Sequence, residues 1–317
     1  MTPGSQRQPE PWAHHGIATL ADGRLVTFAP DNSRMQIKDP GGRLLAERPT
    51  AAVTAHGVTV AFSDDDGELV WVADTGSGPR PDGHGGYFPW YAPGHGRVLA
   101  LRLDGSVARE LGLPPLPVYE SQRFEPTAVL PLPAFDQIWV ADGYGAGLVH
   151  RYATSGDYLG TAPASHDAAF CCPHAMVQFA DEVLIADREN NRLVIVDSEG
   201  RFVRTLADGL RRPSCLAIHR DAVVVGELSA SVALLDFDGR AMRRFGADET
   251  TTVRPSWPNA LDCDGVTIAP PRSVEGGFNS PHAVAVDHTG QIHVVEWLIG
   301  GRHLRFDPDD ALPPALL

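Results

Sequence analysis

The stretch PHAMVQFADEVLIADRENNRLVIVDSEGRFVRTL, residues 173–206, decides the fold because it contains one complete structural repeat. An apolar strand, a turn and a second apolar strand come first, and the second strand stops at Asp187. A polar loop follows, and the segments 192–197 and 201–206 form two more strands joined by a glycine turn. The stretch therefore predicts four short strands in succession.

The same pattern recurs along the whole chain. Five copies end their second strand on an acid, at Asp74, Asp142, Asp187, Glu227 and Glu296. A sixth copy stands first, where the turn 21–23 leads into the strand 25–28, although Pro30 replaces the acid. Six copies in 317 residues average about fifty residues each, the length of a propeller blade. We therefore predict an all-β fold: a six-bladed, NHL-like β-propeller with four-stranded antiparallel blades around a central axis.

The repeats define one propeller domain, residues 15–317, preceded by an N-terminal tail, residues 1–14. Insertions interrupt them at about 76–96 and about 248–277. The first is rich in glycine, proline and aromatic residues, and a loop of this length in a compact domain is usually functional or disordered. Its aromatic cluster 87–91 favours order and could form a wall or lid above the axis. The sequence defines no role for the second insertion.

Composition limits the possible partners. The chain is 43% hydrophobic and 21% charged with a net charge of −14, which indicates a soluble globular protein. The negative charge argues against nucleic acid and against anionic membranes. A polar, proline-rich start and the lack of a long apolar run predict neither a secretory signal nor a membrane span, so we expect a cytoplasmic protein. A small-molecule or modified-peptide substrate fits best, and the oligomeric state stays open.

Three histidines occupy the same position in alternate copies: His56, His174 and His282 each open the first strand of a repeat. In a ring of six blades these positions lie about a third of a turn apart and face one axis. Three neutral imidazoles with an open fourth position form the recurring catalytic zinc site. The pattern therefore predicts Zn²⁺, or another divalent transition metal, on the propeller axis.

The other three copies open on Thr127, Ser214 and His15. The first two are poor zinc ligands, whereas His15 could be a fourth ligand or a donor behind the ligands. The alternative reading is that each histidine only bonds the backbone of a neighbouring blade. The vicinal Cys171 and Cys172 could bring a thiolate near the metal, or could be small packed thiols; no disulfide or zinc-type pair spacing is present. The acids recur in blades without histidine, so we expect them to accept N–H groups of the following loop.

The repeat resembles the NHL repeat. The segments ADGYG at 141–145 and ADREN at 186–190, with the three histidines, resemble the lyase domain of peptidyl-glycine amidating enzymes. The resemblance covers blades two to six. That family is a six-bladed propeller with a three-histidine zinc site, and it cleaves peptidyl-α-hydroxyglycine to a peptide amide and glyoxylate. The resemblance implies His56, His174 and His282 as zinc ligands, Tyr144 as the catalytic base and Arg188 as a cation in the pocket.

Two departures from the family concern its other residues. The family has an arginine after the second strand of its first blade, where this chain reads FAPDN at 28–32 and Arg34 is out of register. Ser280 stands where the family has a methionine. Ala283 stands where the family has an aspartate that helps hold a structural calcium, so the resemblance gives a structural Ca²⁺ little support here.

We therefore expect a zinc-dependent, lyase-like enzyme that cleaves a carbinolamide or a related α-hydroxy compound. A tyrosine ordinarily titrates near 10, so Tyr144 could act as a base only where nearby cations stabilise its phenolate. Tyr144 could also be an ordinary loop aromatic, and the motif around Arg188 occurs in NHL repeats without lyase activity. Two alternatives for the function remain: a metal-dependent hydrolase or lactonase acting on a small molecule, and a non-catalytic NHL-type propeller that binds a protein partner.

Overall fold

The computed structural model describes residues 10–162, 169–246, 250–271 and 277–310, together with the backbone of 315–316. Most of these residues form short β-strands, and the helical content is confined to one-turn 3₁₀ segments at Pro117–Glu120, Pro133–Phe135, Arg188–Asn190 and Thr251–Val253. No helical segment in the described part of the chain has the length and apolar character needed to cross a bilayer. The all-β prediction is confirmed.

The first half of the chain forms blades 1 to 3. It starts with a short strand, β1 (Trp12–Ala13). Blade 1 contains β2 (Ile17–Thr19), β3 (Leu25–Phe28), β4 (Arg34–Lys38) and β5 (Leu44–Pro49). Blade 2 contains β6 (Ala55–Ser63) and β7 (Gly67–Asp74), then an inserted hairpin of β8 (Ser77–Pro81) and β9 (Tyr87–Tyr91), then β10 (Arg97–Leu101) and β11 (Val107–Leu111). Blade 3 contains β12 (Ala128–Leu132), β13 (Gln137–Asp142), β14 (Leu148–Ala153) and β15 (Tyr158–Thr161).

The second half forms blades 4 to 6. Blade 4 contains β16 (Pro173–Phe179), β17 (Glu182–Asp187), β18 (Arg192–Val196) and β19 (Phe202–Ala207). Blade 5 contains β20 (Pro213–His219), β21 (Ala222–Glu227), β22 (Ser231–Asp236) and β23 (Ala241–Phe245), followed by a small ladder of β24 (Ala260–Leu261) and β25 (Ile268–Ala269). Blade 6 contains β26 (Pro281–Val286), β27 (Ile292–Glu296), β29 (Arg302–Phe306) and β30 (Ala315–Leu316), with β28 (Leu298–Ile299) looped out between β27 and β29.

The six blades close into a ring, as predicted. The innermost strands β2, β6, β12, β16, β20 and β26 contact one another in that order, and β26 returns to β2. Each blade takes its strands from one continuous part of the chain, so blades 1 and 6 share none. The pairing of β1 with β28, Trp12 with Ile299 and Ala13 with Leu298, instead links the start of the chain to blade 6.

The apolar core is divided among the interfaces between blades. Among the described residues, five interfaces each hold a cluster of between ten and thirteen buried apolar side chains. Within the described part of the chain, the sixth interface, between blades 6 and 1, holds four: Ile17, Leu25, Ala285 and Val295. We call this interface the closing seam.

The two insertions contact each other through their β-ladders. The amide of Ile268 donates to the carbonyl oxygen of Gly85 at 2.8 Å, which joins the β24–β25 ladder to the hairpin β8–β9. From the same hairpin, Tyr87 packs edge-on against Trp12 with ring centroids 5.3 Å apart. The first insertion therefore contains a hairpin that packs against the start of the described chain. Residues 248–249 and 272–276 of the second insertion lie outside the described residues.

Candidate metal centre

The three predicted histidines come together on the propeller axis. Each histidine is the second residue of its innermost strand, His56 in β6, His174 in β16 and His282 in β26, and all three are buried. Their ring centroids are 4.6 Å apart for His56 and His282, 4.8 Å for His56 and His174, and 5.2 Å for His174 and His282. Residues far apart in the sequence thus form one compact cluster because alternate blades present the same position to the axis.

Each of these imidazoles is oriented by the next blade. The Nδ1 atom faces the carbonyl oxygen of the equivalent opening residue: His56 faces Thr127 at 2.7 Å, His174 faces Ser214 at 2.6 Å and His282 faces His15 at 3.2 Å. A carbonyl oxygen can only accept, so Nδ1 carries the hydrogen in all three rings. Each histidine therefore makes the bond to a neighbouring blade's backbone that the alternative interpretation expected. This bond leaves Nε2 of each ring as an unprotonated acceptor that faces the cluster.

Two blades without an axial histidine, blades 3 and 5, also bind the backbone next to the histidines. The hydroxyl of Thr127 donates to the carbonyl oxygen of Pro173 at 2.7 Å, and that of Ser214 donates to Pro281 at 2.6 Å. Each of these prolines directly precedes an axial histidine. Hydroxyl residues at alternate positions therefore hold the histidines in place. The sequence did not predict this role, because it depends on backbone carbonyl groups of the neighbouring blade.

The Nε2 atoms of His56 and His282 face each other at 3.0 Å. Both are acceptors in the tautomers fixed by the backbone, so no hydrogen lies between them unless one ring is protonated. Burial opposes protonation, since it lowers the pKa of His56 to about 3 and that of His282 well below the ordinary value. Two buried lone pairs in contact repel each other, and imidazole nitrogen is a preferred donor for Zn²⁺ and related metals. The types of donor atom therefore fit the predicted metal.

Tyr144 and Arg188 both reach this cluster. The Tyr144 hydroxyl lies 2.9 Å from Nε2 of His174 and 3.2 Å from Nε2 of His56, but it has one hydrogen to donate. A guanidinium N–H of Arg188 donates to the same oxygen at 3.3 Å, and its carbon lies 5.4 Å from the Tyr144 ring centre. Burial raises the pKa of Tyr144 to about 12, and the charge of Arg188 acts in the opposite direction. Arg188 is therefore placed to favour the phenolate.

A fourth imidazole in the cluster, that of His14, was not predicted. Its Nε2 lies 3.1 Å from the Tyr144 hydroxyl, and its ring centre is 4.6 Å from those of His56 and His282. The neighbouring His15 is turned away, since its Nδ1 lies 3.0 Å from the hydroxyl of Thr27. His15 therefore supports the cluster through its carbonyl oxygen, whereas its ring is not among the converging imidazoles. The only sequence signal for His14 was its place beside the first repeat.

The acids that end the second strands support the histidines from behind. The carboxylate of Asp74 accepts the amide of Thr54 at 2.8 Å, and that of Glu296 accepts the amides of Asn279 and Ser280. The prediction that they cap the following loop is wrong for these blades, because antiparallel pairing places the acid level with the start of the innermost strand. The bound amides therefore lie in the loop leading into the histidine.

Blade 3 is the exception, and its acid shapes the loop that carries Tyr144. Asp142 accepts the amide of Glu125 at 2.6 Å and that of Ala146, in the following loop, at 2.7 Å. The buried Tyr119 hydroxyl donates to the same carboxylate at 2.7 Å. Because both flanking loops bind one carboxylate, the position of Tyr144 depends on Asp142.

Arg34 and the cysteines, which the sequence singled out, add no charge to the cluster. Arg34 is half exposed and forms ion pairs with Asp31 and Glu47 on the outer part of blade 1. The cysteines are free thiols, and burial raises the pKa of Cys172 to about 11, so this thiol is protonated near neutral pH. A cavity of about 80 Å³ lies on the axis beside the three histidines, and its lining includes Val58, Val129 and Met176 of the innermost strands but neither Tyr144 nor Arg188.

The fold and the cluster together define a class: a six-bladed β-propeller with buried histidines converging on its axis. A solved streptogramin B lyase structure aligns with a TM-score of 0.54 at 14% identity, over 93% of this chain and 93% of its own. A catalytically inactive histidine-to-alanine variant of virginiamycin B lyase from Staphylococcus aureus, solved with quinupristin, aligns with a TM-score of 0.55 at 13% identity, over 98% of this chain and 85% of its own.

At these identities the similarity establishes the propeller fold alone. No protein-family model and no curated protein matches the sequence. The resemblance to amidating lyases, and the NHL character of the repeat, therefore stay predictions.

Proposed function

We propose that this protein is a metal-dependent lyase that cleaves a carbinolamide or a related α-hydroxy compound, with His56, His174 and His282 as ligands of Zn²⁺ or a similar divalent ion. The observation that carries the proposal is the cluster of buried imidazoles on the axis: Nε2 of His56 and Nε2 of His282 lie 3.0 Å apart, and the Tyr144 hydroxyl contacts Nε2 of His56 and of His174. When bound, the ion supplies positive charge at the axis, which lowers the pKa of an oxygen in contact with it.

The protein's own residues account for the proton transfer. In carbinolamide cleavage the hydroxyl loses its proton, the carbon–nitrogen bond breaks as the carbonyl forms, and the released nitrogen takes up one proton. Tyr144 is the group that takes the hydroxyl proton, because its oxygen lies at the centre of the cluster. Arg188 favours the phenolate that this role requires, through its N–H bond to the phenol oxygen.

The position of Tyr144 and Arg188 decides from which side a substrate can react. Neither residue lines the axial cavity, whereas both contact the cluster through the Tyr144 hydroxyl. The substrate hydroxyl would therefore approach from the face of the propeller that carries Tyr144 and Arg188, and a small-molecule or modified-peptide substrate fits this approach. The names of the two similar structures, both lyases and one with quinupristin, agree with this choice of reaction class and substrate size.

Metal analysis tests the centre. Protein purified without added metal should contain on the order of one equivalent of a divalent transition metal, and His174→Ala should lose it because a buried ligand is removed. His84→Ala, which removes an exposed histidine from the hairpin loop, is the matched control and should keep the metal. Equal metal content in all three proteins would refute the proposed ligand set.

Product analysis tests the reaction. Incubation with an N-acyl-α-hydroxyglycine in ¹⁸O-labelled water should release an amide and an aldehyde without label introduced by the cleavage step, with carbonyl exchange measured in a blank. Incorporated label would instead indicate the hydrolase alternative. Tyr144→Phe should keep the metal and lower turnover by roughly a hundredfold or more, the usual range for a general base. Turnover equal to that of the wild type would exclude Tyr144 as the base.

A further inference from the structure

The N-terminal arm, residues 10–14, is built into the propeller beside the axis. Its strand β1 pairs with β28, and the amide of Gly300 donates to the carbonyl oxygen of Pro11 at 2.8 Å. The side chain of Asn32 bridges the arm to blade 1, because its oxygen accepts the amide of His14 at 2.9 Å and its nitrogen donates to Trp12 at 3.2 Å.

Aromatic packing fixes the arm on its outer side. The Trp12 ring lies between Tyr87 of the inserted hairpin, at 5.3 Å, and Trp297 of blade 6, at 5.4 Å. Trp297 also contacts the His14 ring at 5.7 Å. His14 is thus held by backbone pairing, an amide bridge and stacking, so little conformational freedom remains to be lost when its ring binds something.

The His14 imidazole of this arm has a nitrogen close to nitrogens of the axial histidines. One nitrogen each of His14, His56 and His282 lie within 4.8 Å of one another. The Tyr144 hydroxyl joins the fourth imidazole to the set, since it is 3.1 Å from Nε2 of His14 and 2.9 Å from Nε2 of His174. Nε2 of His174 lies outside that set and reaches it through the Tyr144 hydroxyl. Together the four imidazoles would supply the donor number that Zn²⁺ prefers.

We propose that His14 is a fourth ligand of the axial metal and that the metal thereby ties the N-terminal arm to blades 2, 4 and 6. The proposal rests on the proposed metal centre and specifies its resting coordination. In this arrangement a substrate oxygen reaches the metal by replacing His14 or by adding beside it as a fifth donor. Metal binding and closure of the ring are also linked, because a ligand that requires the arm in place stabilises the closed state.

Cobalt substitution tests this role through a signal other than activity. The chelator-treated wild type, His14→Ala and the control His84→Ala are titrated with Co²⁺, whose visible spectrum reports the number and kind of its ligands. His14→Ala should bind Co²⁺ with an altered spectrum and roughly a hundredfold or more weaker affinity, since loss of a partner behind a ligand alone costs 10–100-fold. His84→Ala should match the wild type.

Free imidazole then separates ligation from folding. Added at a concentration that leaves the wild-type spectrum unchanged, it should restore a wild-type-like spectrum to His14→Ala by taking the place of the missing ring. An affinity and spectrum unchanged by His14→Ala would overturn the proposal, and so would a loss of affinity that imidazole does not reverse. A wild type that binds no Co²⁺ would refute the metal centre itself, whereas binding unaffected by His14→Ala would refute this inference alone.

Discussion

The closing seam and the other five interfaces stabilise the same ring by different means. At the interface between blades 4 and 5, buried leucine, isoleucine, valine and alanine side chains form a continuous apolar cluster. At the seam, the apolar cluster is reduced to four of the described residues, and buried polar side chains of blade 6 lie beside it. Among the described residues, the interface between the first and the last blade therefore has the least hydrophobic stabilisation.

Buried polar groups characterise the seam. The carboxylate of Asp287 accepts from Nε2 of His293 at 3.0 Å, and Nδ1 of His293 accepts from Nε2 of His303 at 3.1 Å. A cavity of about 430 Å³, lined in part by His303, Lys38 and Phe28, lies beside them between blades 6 and 1. The network is incomplete, because Nδ1 of His303 is buried without a hydrogen-bond partner. A buried polar network adds less net stability than packed apolar groups, the more so when one of its atoms is unsatisfied. The seam consequently depends on its links to the arm and to the axis.

A matched pair of leucine substitutions gives the largest expected contrast. Leu184, between blades 4 and 5, and Leu25, at the seam, are both fully buried. We expect Leu184→Ala to lower the free energy of unfolding by about 3–5 kcal/mol, because the dense cluster around it cannot collapse. Leu25→Ala should cost about 2 kcal/mol, near the lower end of the range for such changes, because fewer apolar neighbours lose contacts. Urea unfolding of both variants measures the difference.

Equal losses for the two leucines would show that the seam is packed as tightly as the other interfaces. A larger loss at Leu25 would mean that the seam is the most important interface for stability, and would contradict the comparison.

The sequence was sufficient to predict the ring because the repeat is local. Strand length, Asp and Gly turns and the acid that ends each second strand all recur within single blades, so each copy supports the next. The same logic found His56, His174 and His282, since equal register in alternate blades means equal distance from the axis. Tyr144 and Arg188 came from the family resemblance, and the structure places both against the predicted histidines.

What the sequence did not predict depends on contacts outside the repeat. His14 lies in a segment without internal pattern, and only the pairing of β1 with β28 brings it to the axis. The amides bound by the acids that end the second strands depend on the antiparallel register within a blade, and this register cannot be derived from composition. The seam histidines have no shared register either, and a buried, bonded imidazole such as His293 has the same sequence signature as an exposed one.

Metal removal should weaken the seam more than the other interfaces. If the closed arm is needed for binding, a metal held at 100 times its dissociation constant stabilises the closed state by about 2.7 kcal/mol, equivalent to about a hundredfold in opening equilibrium. Hydrogen exchange of the amides in β1, β2 and β26 should therefore accelerate by up to about that factor after chelation. The strands β17 and β21 between blades 4 and 5 serve as the internal control and should change little. A uniform acceleration in all blades would contradict a local role of the metal.

The effect that is smallest when taken per pH unit concerns the acid sensitivity of the seam. Burial lowers the pKa of His303 to about 3, and the charged or titratable groups that act on it are His293, Lys38, His15 and Arg305. In the unfolded chain the His303 imidazole is protonated as the pH falls below about 6.5, whereas in the folded seam it stays neutral down to about pH 3. Protons therefore favour unfolding in this window, and stability is lost as the pH falls from 6.5 toward 3, by about 1.4 kcal/mol for each pH unit from this one group.

The variant His303→Gln tests that sign directly. Glutamine keeps an N–H donor for His293 but does not titrate, so the decline in stability between about pH 6 and pH 4 should become shallower by about 1.4 kcal/mol per pH unit. Urea unfolding at several pH values measures the slope, and His84→Gln, at an exposed position, should leave it unchanged. The axial histidines are common to all three proteins and cancel in the difference. If His303→Gln left the change of unfolding free energy with pH unaltered, His303 would be protonated in the folded protein as readily as in the unfolded chain. The polar network of the seam would then not be the acid-sensitive part of the ring.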